Sequence, residues 1–515
     1  GVLPLVITPT LVGIETVNLA VTGAERADAT LDLQNANGLK AVSITSIGEG
    51  IRNVKVGNIQ NALESMSVSS FPHLEYTSAQ LCYVAGALAG ENRGTLNLDG
   101  ASMYRLGIGR DTFLETGHVS LESYEHLTIN VESASSIGFL DLPMDSGSAG
   151  SIIITGTADL ELGRVDYQAK IKEQIVYSGG IQQTGGHLAS IDASALTGNL
   201  TLVLNNIMDV DKAGSSGVQQ DVTVIGGSGD DIFSLYDVMQ AGDRIIGGEG
   251  TDTLLFYSGS GINPVAESIE VAGLQGNSYD GAVVVDFSGL TSVTRIEVSN
   301  ITHRDVIGTW GMAFDAPPVD FTMTNLSAVQ AAGITIQHAF SGGCGIADSV
   351  IQAALATDTA SDTLGVTIAD GKNTEPRFNF TIDTAFASSG ASSFEHLSIT
   401  DTDAESNVVE LEDFAQFTGS ITLKGGKAGT FLNFDVDTDG ADVTGQLAAG
   451  QTDAMPNIPG YLPSESPYYP VQQGLLGLST DGTDIDFAAG HIHDVGNLAT
   501  QVRLGAASIN AAATD

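Results

Sequence analysis

Short runs of alternating or continuous apolar residues recur along the chain. Examples are Val42-Ser-Ile-Thr-Ser, Ser151-Ile-Ile-Ile-Thr, Leu200-Thr-Leu-Val-Leu, Ala282-Val-Val-Val-Asp, Val366-Thr-Ile and Ser420-Ile-Thr-Leu. Each run is short and stops at Gly, Asn, Asp or Ser, the pattern of strands joined by tight turns. Helical periodicity is scarce. Short helices are expected only over Asp348–Ala356, with Asp348 as N-cap, and over Gly490–Ala506. No apolar stretch is long enough for a transmembrane helix.

The runs repeat in two kinds of unit. One places an apolar residue and Glu before a strand: Ile14-Glu-Thr-Val-Asn-Leu, Leu63-Glu-Ser-Met-Ser-Val, Tyr124-Glu-His-Leu-Thr-Ile, Ala266-Glu-Ser-Ile-Glu-Val and Phe394-Glu-His-Leu-Ser-Ile. The other places an acid before a small turn and a strand. Asp192-Ala-Ser-Ala-Leu-Thr-Gly-Asn-Leu-Thr-Leu matches Asp413-Phe-Ala-Gln-Phe-Thr-Gly-Ser-Ile-Thr-Leu, with a looser copy from Asp32 to Val42. Any β protein reuses such fragments, but two kinds of repeat favour stacked rungs. The expected fold is all-β: an elongated, right-handed parallel β-solenoid or β-roll with irregular insertions. Strands about 4.8 Å apart and rungs of roughly 20 to 25 residues give an object on the order of 100 Å long. Four blocks are expected: a solenoid block over 1–208, a calcium-binding roll over 209–300, a second solenoid block over 301–455, and an arm over 456–515. The breaks fall in the polar stretch Asp209–Gln220 and in a stretch holding Pro456, Pro459, Pro463, Pro467 and Pro470 with Tyr461, Tyr468 and Tyr469.

One motif carries chemistry. Residues 226–234 read Gly-Gly-Ser-Gly-Asp-Asp-Ile-Phe-Ser and residues 247–255 read Gly-Gly-Glu-Gly-Thr-Asp-Thr-Leu-Leu. Both match the calcium-roll nonapeptide G-G-x-G-x-D-x-U-x at every specified position. Glycines allow the tight turn and expose carbonyl oxygens, Asp231 and Asp252 supply carboxylates, and Phe233 and Leu254 plug the interior. Oxygen-only ligands of this kind suit calcium. The candidate ligand positions are Gly226, Ser228, Asp230 and Asp231 in the first turn, and Gly247, Glu249 and Asp252 in the second. Asp243, after Gly242, is a further candidate. A regular roll repeats same-side turns about every 18 residues, whereas these begin 21 apart, so the intervening turn must absorb the excess. Two ordinary glycine turns with solvated acids are the alternative. Asp435, Asp437 and Asp439, in Asp-Val-Asp-Thr-Asp-Gly, form a second candidate, although Gln446 stands where an EF-hand has its bidentate Glu.

Composition sharpens this picture. The 62 acids and 19 bases give a formal charge of −43, and 62 of 515 residues are glycine. So few cations cannot neutralise many phosphates, which argues against nucleic-acid binding. Self-repulsion of this size calls for screening, by calcium or by a saline exterior. Cys82 and Cys344 show no metal-binding spacing.

The paired nonapeptide resembles the RTX calcium-binding repeats of secreted bacterial proteins. The wider texture is similar to RTX-type surface-layer (S-layer) proteins of Gram-negative bacteria. Gly13-Ile-Glu-Thr-Val-Asn-Leu, Asp192-Ala-Ser-Ala-Leu-Thr-Gly and the run from Ile225 to Gly273 carry the likeness. It implies export by type I secretion, calcium-driven folding outside the cell, and self-assembly into a lattice anchored to lipopolysaccharide or another surface glycan. Only Asp231, Asp252 and their glycines carry over as ligands. The chain departs from that family in having few nonapeptides and no apolar secretion tail. No GxSxG, HExxH or P-loop is present. His126 and His396 occupy the same position of one repeat, which marks a structural slot, and His491 with His493 reads as a loop pair. The expectation is therefore a non-enzymatic structural subunit outside the cell. A glycan-binding adhesin is the alternative, and a polysaccharide lyase or hydrolase a more remote one.

Overall fold

The structure is a computed structural model. It describes residues 5–22, 27–48, 51–69, 74–110, 122–143, 149–163, 169–171, 174–176, 180–184, 187–205, 221–235, 241–257, 259–262, 265–276, 282–300, 320–337, 349–369, 380–388, 394–402, 407–411, 420–425, 430–434, 476–480, 485–488, 503–504 and 509–511. Two compact units are present. The first comprises Gly1–Leu255 with Pro264–Glu270, the second Phe256–Asn263 with Val271–Asp515. Among the described residues no helix is long and apolar enough to cross a membrane.

The first unit is a parallel β-solenoid. Ten parallel strands build one sheet, beginning Thr16–Val21, Ala41–Ile47, Ser65–Ser69 and ending Thr223–Ile225, Arg244–Ile246, Val265–Glu267. Between them the chain crosses to a second parallel stack that includes Ala27–Asp32, Ile51–Ile59, Leu74–Tyr83 and Ser102–Gly109. Each full rung thus gives a strand to each stack, as the repeats predict. Inward positions align in files: Val42, Met66, Leu96, Ile129 and Ile154 stand in register and are all buried. Outward positions form polar ladders. Asn97 Nδ2 donates to Ser67 Oγ (3.4 Å), Asn130 Nδ2 to Asn97 Oδ1 (3.3 Å), and Thr155 Oγ1 to Asn130 Oδ1 (3.4 Å).

Both sequence repeats turn out to be corners. In the first, Leu63, Tyr124 and Phe394 are buried at the turn, and a strand opens two residues later; Ala266 instead lies within the strand Val265–Glu267, and Ile14 is exposed. Tyr124 closes its corner through its hydroxyl, which accepts from Leu63 N (2.8 Å) and meets Tyr83 Oη at 2.8 Å. In the second, the acid folds back on its own backbone. Asp32 Oδ1 accepts from Gln34 N and Asp192 Oδ1 from Ser194 N, both at 3.0 Å, the side-chain turn that suits Asp at corners. Asp286 does the same for Ser288 N (2.9 Å). Asp32 and Asp286 also accept at 2.9 Å from Asn58 and Asn325, whose backbones are left-handed (φ 54° and 57°).

The second unit continues the parallel theme. Val283–Asp286, Phe321–Leu326, Ser349–Leu355 and Phe380–Ser388 pair in parallel, as do Val271–Gly276, Arg295–Asn300, Ile334–Gln337, Thr363–Ala369 and His396–Asp401. Towards the C-terminus the order breaks: Leu476–Thr480 and Ile485–Ala488 pair antiparallel to Thr430–Phe434 and Ser420–Gly425. The helix expected over Asp348–Ala356 is instead the strand Ser349–Leu355. Its residues Ile351, Ala353 and Leu355 alternate inward, and parallel neighbours on both sides override the weak helical pattern. Of Gly490–Ala506, only Arg503–Leu504 is described, and it is strand. Asp435, Asp437 and Asp439, the stretches 209–220 and 456–470, His491, His493 and Cys344 lie outside the described residues.

Candidate cation site in the stacked glycine turns

The two nonapeptides lie on consecutive rungs. Thr223, Arg244 and Val265 stand in register in one sheet, and Ile232 and Thr253 in the other stack. The rung is therefore 21 residues long, the separation across Asp231 N to Asp252 Oδ1. The two glycine turns stack on the same side, and the residues beyond an 18-residue repeat fall in the opposite turn, which ends at Asp243. Phe233 and Leu254 stack in register with Leu202, fully buried.

Close stacking explains the glycines. A Cβ on Gly226 would come within 1.9 Å of Gly247 O, and one on Gly247 within 1.8 Å of Ser268 O. Gly248 and Gly250 hold φ of 114° and 112°, which side-chain-bearing residues rarely adopt. Backbone bonds then tie turn to turn: Gly226 N to Ile246 O, Glu249 N to Gly227 O, and Thr253 N to Asp231 O.

The carboxylates form a ladder through this stack. Asp231 Oδ1 accepts from Leu200 N (2.8 Å) and Asp231 Oδ2 from Gly227 N (2.7 Å). Asp252 Oδ1 accepts from Asp231 N (2.8 Å), and Glu270 Oε2 from Asp252 N (2.9 Å). A parallel ladder runs one residue earlier, from Asp159 to Asn199 N, Asn199 to Asp230 N, and Asp230 to Thr251 N, each at 2.8 Å. Asp243 Oδ1 accepts from Val222 N (2.8 Å). It does so at the opposite turn of the rung, so Asp243 does not join Asp231 and Asp252. Ser228, Asp230 and Glu249 are exposed, whereas Gly226 and Gly247 are buried.

Asp231 and Asp252 are both fully buried. Burial raises the pKa of Asp231, against the hydrogen bonds from Gly227 and Leu200 that lower it. Asp252 is pushed up to about 7, first by burial and then by the neighbouring Asp231, Glu270 and Asp230 charges, with the bond from Asp231 N opposing. One atom stands out. Asp252 Oδ2 is buried and has no hydrogen-bond partner. A buried acceptor without a donor costs about 1–3 kcal/mol, and more when charged. A proton or a hard cation would relieve it. Calcium fits an open carboxylate oxygen of this kind, since it takes oxygen ligands from carboxylates and peptide carbonyls. Among the described residues no three His, Cys, Asp or Glu side chains converge as a metal-binding group, so backbone carbonyls would have to complete the shell.

The ladder includes residues that motif reading does not reach. Gly198-Asn199-Leu200, from the second repeat, occupies the same rung positions as Gly229-Asp230-Asp231 and Gly250-Thr251-Asp252. The signal is present in the sequence as the shared glycine before the strand, but only the register reveals it. Glu270 follows Asp252 at 18 residues rather than 21, which hides it from a fixed-period scan. Comparison of the chain with protein-family models, with curated proteins and with solved structures finds no match in any of the three.

Proposed function

We propose that this protein is a structural subunit of a secreted, calcium-dependent extracellular assembly, a surface-layer lattice or a surface filament. The observation that carries the calcium part is the buried, partnerless Asp252 Oδ2 inside two stacked glycine turns. Asp252 would hold the ion from its open oxygen, with turn carbonyls around it. Asp231 and Glu270 would keep their present bonds and fix the turn. Calcium supplies a positive charge that offsets the burial of this carboxylate and part of the −43 charge.

The structural part rests on where the other polar groups go. Most described acids at corners accept backbone N–H groups or fold into side-chain turns, which builds the solenoid rather than a reactive cleft. A parallel solenoid also presents long, regular faces suited to repeated contacts. Calcium would thus set the stability of the rungs, and the assembly would follow from ordered rungs.

Melting and electron microscopy with calcium and with a chelator test the reading. Chelation is expected to lower the melting temperature by several degrees and to dissolve assemblies. Unchanged melting and unchanged particles in chelator would refute it.

A further inference from the structure

The outer face of the ten-strand sheet carries a depression of about 250 Å³, whose rim includes Glu64, Arg93, Thr95, His126, Thr128 and Ile153. Glu64 stands just before the adjoining strand Ser65–Ser69, and three neighbouring strands bring the others together in two files. Arg93, His126 and Ser151 stand in register in one, and Thr95, Thr128 and Ile153 in the next. Adjacent Gly94 and Leu127 point inward and form the floor, so the named side chains share one face.

An internal comparison separates scaffold from site. His126 Nδ1 meets Ser151 Oγ of the following strand at 2.7 Å, whereas His396, at the same position of the repeat, meets Ser361 Oγ of the preceding rung through Nε2 at 3.3 Å. A serine thus lies beside the histidine at both corners, but the contact differs in ring nitrogen and in direction. The residue in register before the histidine differs. It is Thr363 in the second unit and Arg93 in the first. The cations of the ion pairs Lys40–Glu15, Arg244–Glu267 and Arg295–Glu297 meet carboxylates at 2.9–3.0 Å. Arg93 makes no side-chain hydrogen bond or ion pair among the described residues, although acids outnumber bases 62 to 19. The rim thus carries one guanidinium unpartnered among the described residues, one carboxylate (Glu64), a histidine and two threonine hydroxyls, a charge-balanced spot in a strongly acidic protein.

We infer that this depression binds a sugar bearing one anionic group, a carboxylate or a phosphate. Arg93 takes the anion with its planar fork. His126, Thr95 and Thr128 bond ring hydroxyls, Glu64 accepts from a hydroxyl, and Ile153, 47% exposed, covers an apolar ring face. The size suits a small saccharide rather than a cofactor, since pockets for drug-sized ligands run to about 300–1,000 Å³. The inference rests on the extracellular reading above for its partner class, because surface glycans would supply such sugars.

Saturation-transfer NMR tests it, with the whole protein and a panel of ligands. The panel holds glucuronate, galacturonate and mannuronate, the 1-phosphates of glucose, galactose and mannose, methyl glucoside, acetate and inorganic phosphate. At least one anionic sugar is expected to bind ten-fold or more tightly than methyl glucoside and the bare anions. Arg93→Gln is expected to erase that margin, while Arg244→Gln, at an exposed ion pair on the same sheet, leaves it intact. The uronate and hexose phosphate arms distinguish the two anion sources. Equal binding of methyl glucoside, equal binding of the bare anions, a silent panel, or an unaffected Arg93→Gln protein overturns the inference. Run with and without chelator, the experiment separates the two ideas. Chelator-insensitive assembly leaves a positive sugar result standing, and a silent panel leaves the calcium reading standing.

Discussion

The turns at Gly226–Asp231 and Gly247–Asp252 match the same nonapeptide at every specified position, yet they differ where it counts. In the first, Asp231 is sealed: one oxygen takes Leu200 N and the other takes Gly227 N of its own turn. In the second, Asp252 Oδ1 takes Asp231 N, and Oδ2 takes nothing. Gly248 has turned to φ 114°, while Gly227 has not. The motif thus fixes where the carboxylates stand, and the peptide orientation of the second glycine decides which oxygen is open. One open oxygen, not two equivalent sites, is the lesson.

The largest predicted effect tests what the turns share. Gly226→Ala and Gly247→Ala each drive a methyl to within 2 Å of a carbonyl oxygen on the next rung. Each should cost about 3 kcal/mol or more, by denaturant unfolding of the segment, because neither backbone can retreat without breaking the stack. A tolerated alanine at either position would mean the turns do not stack as described. Next in size, Asp231→Ala and Asp252→Ala test the difference in chelator. Asp231→Ala strands two buried N–H groups and should cost about 2–4 kcal/mol. Asp252→Ala strands one and also removes a partnerless oxygen, so its cost should fall near 1 kcal/mol or below. Equal costs would erase the distinction between the turns.

The solenoid was legible because its signals are local. Period-two alternation, corner glycines and the 21-residue motif offset each needed only neighbouring residues to read, and the structure bears out the parallel rungs they imply. The strand at Ser349–Leu355 was not legible, since Val350, Ile351, Ala353, Ala354 and Leu355 satisfy either period and only the strands beside it decide. Within the candidate site, Asp231 and Asp252 stand where the motif puts them, side by side on stacked rungs. Asp243 does not join them, because the strand Ile232–Ser234 leads away from the glycine turn and Asp243 stands just before Arg244–Ile246 in the other sheet. Asn199 and Glu270 were hidden by rungs of unequal length, 31 and 18 residues from their partners. The net charge of −43 also reads differently. Asp159, Asp230, Asp243, Glu270 and Glu395 each accept a backbone N–H from another rung, so many acids serve as corner stitches.

A charge-removing substitution sharpens the contrast further. The pKa of Asp252 is raised by burial, to about 7 from 3.8. Its neutral form therefore contributes stability that is complete below about pH 4 and is lost as the pH rises through about 7. Asp252→Asn mimics that neutral form. In chelator, wild-type stability relative to the variant should fall between pH 4 and 7, leaving the variant more stable by about 1–3 kcal/mol at pH 8. Saturating calcium should reverse the order, because the variant has lost the anionic ligand. Parallel pH curves with no calcium reversal would show that Asp252 meets neither proton nor ion.

The smallest effect concerns Glu270, which holds Asp252 N from the following rung. If its role is to fix the turn, what matters is an acceptor at that place and not a charge. Glu270→Gln keeps a carbonyl oxygen for the same N–H and removes one of the charges that raise the Asp252 pKa. Stability in chelator should then change by less than about 0.5 kcal/mol, and the pH midpoint assigned to Asp252 should move down. Glu270→Ala removes the acceptor and should cost about 1 kcal/mol. Calcium affinity separates positioning from ligation. A positioning residue predicts that Glu270→Gln retains the calcium-induced rise in melting temperature, whereas loss of that rise would place Glu270 among the ligands and make the site a two-carboxylate one.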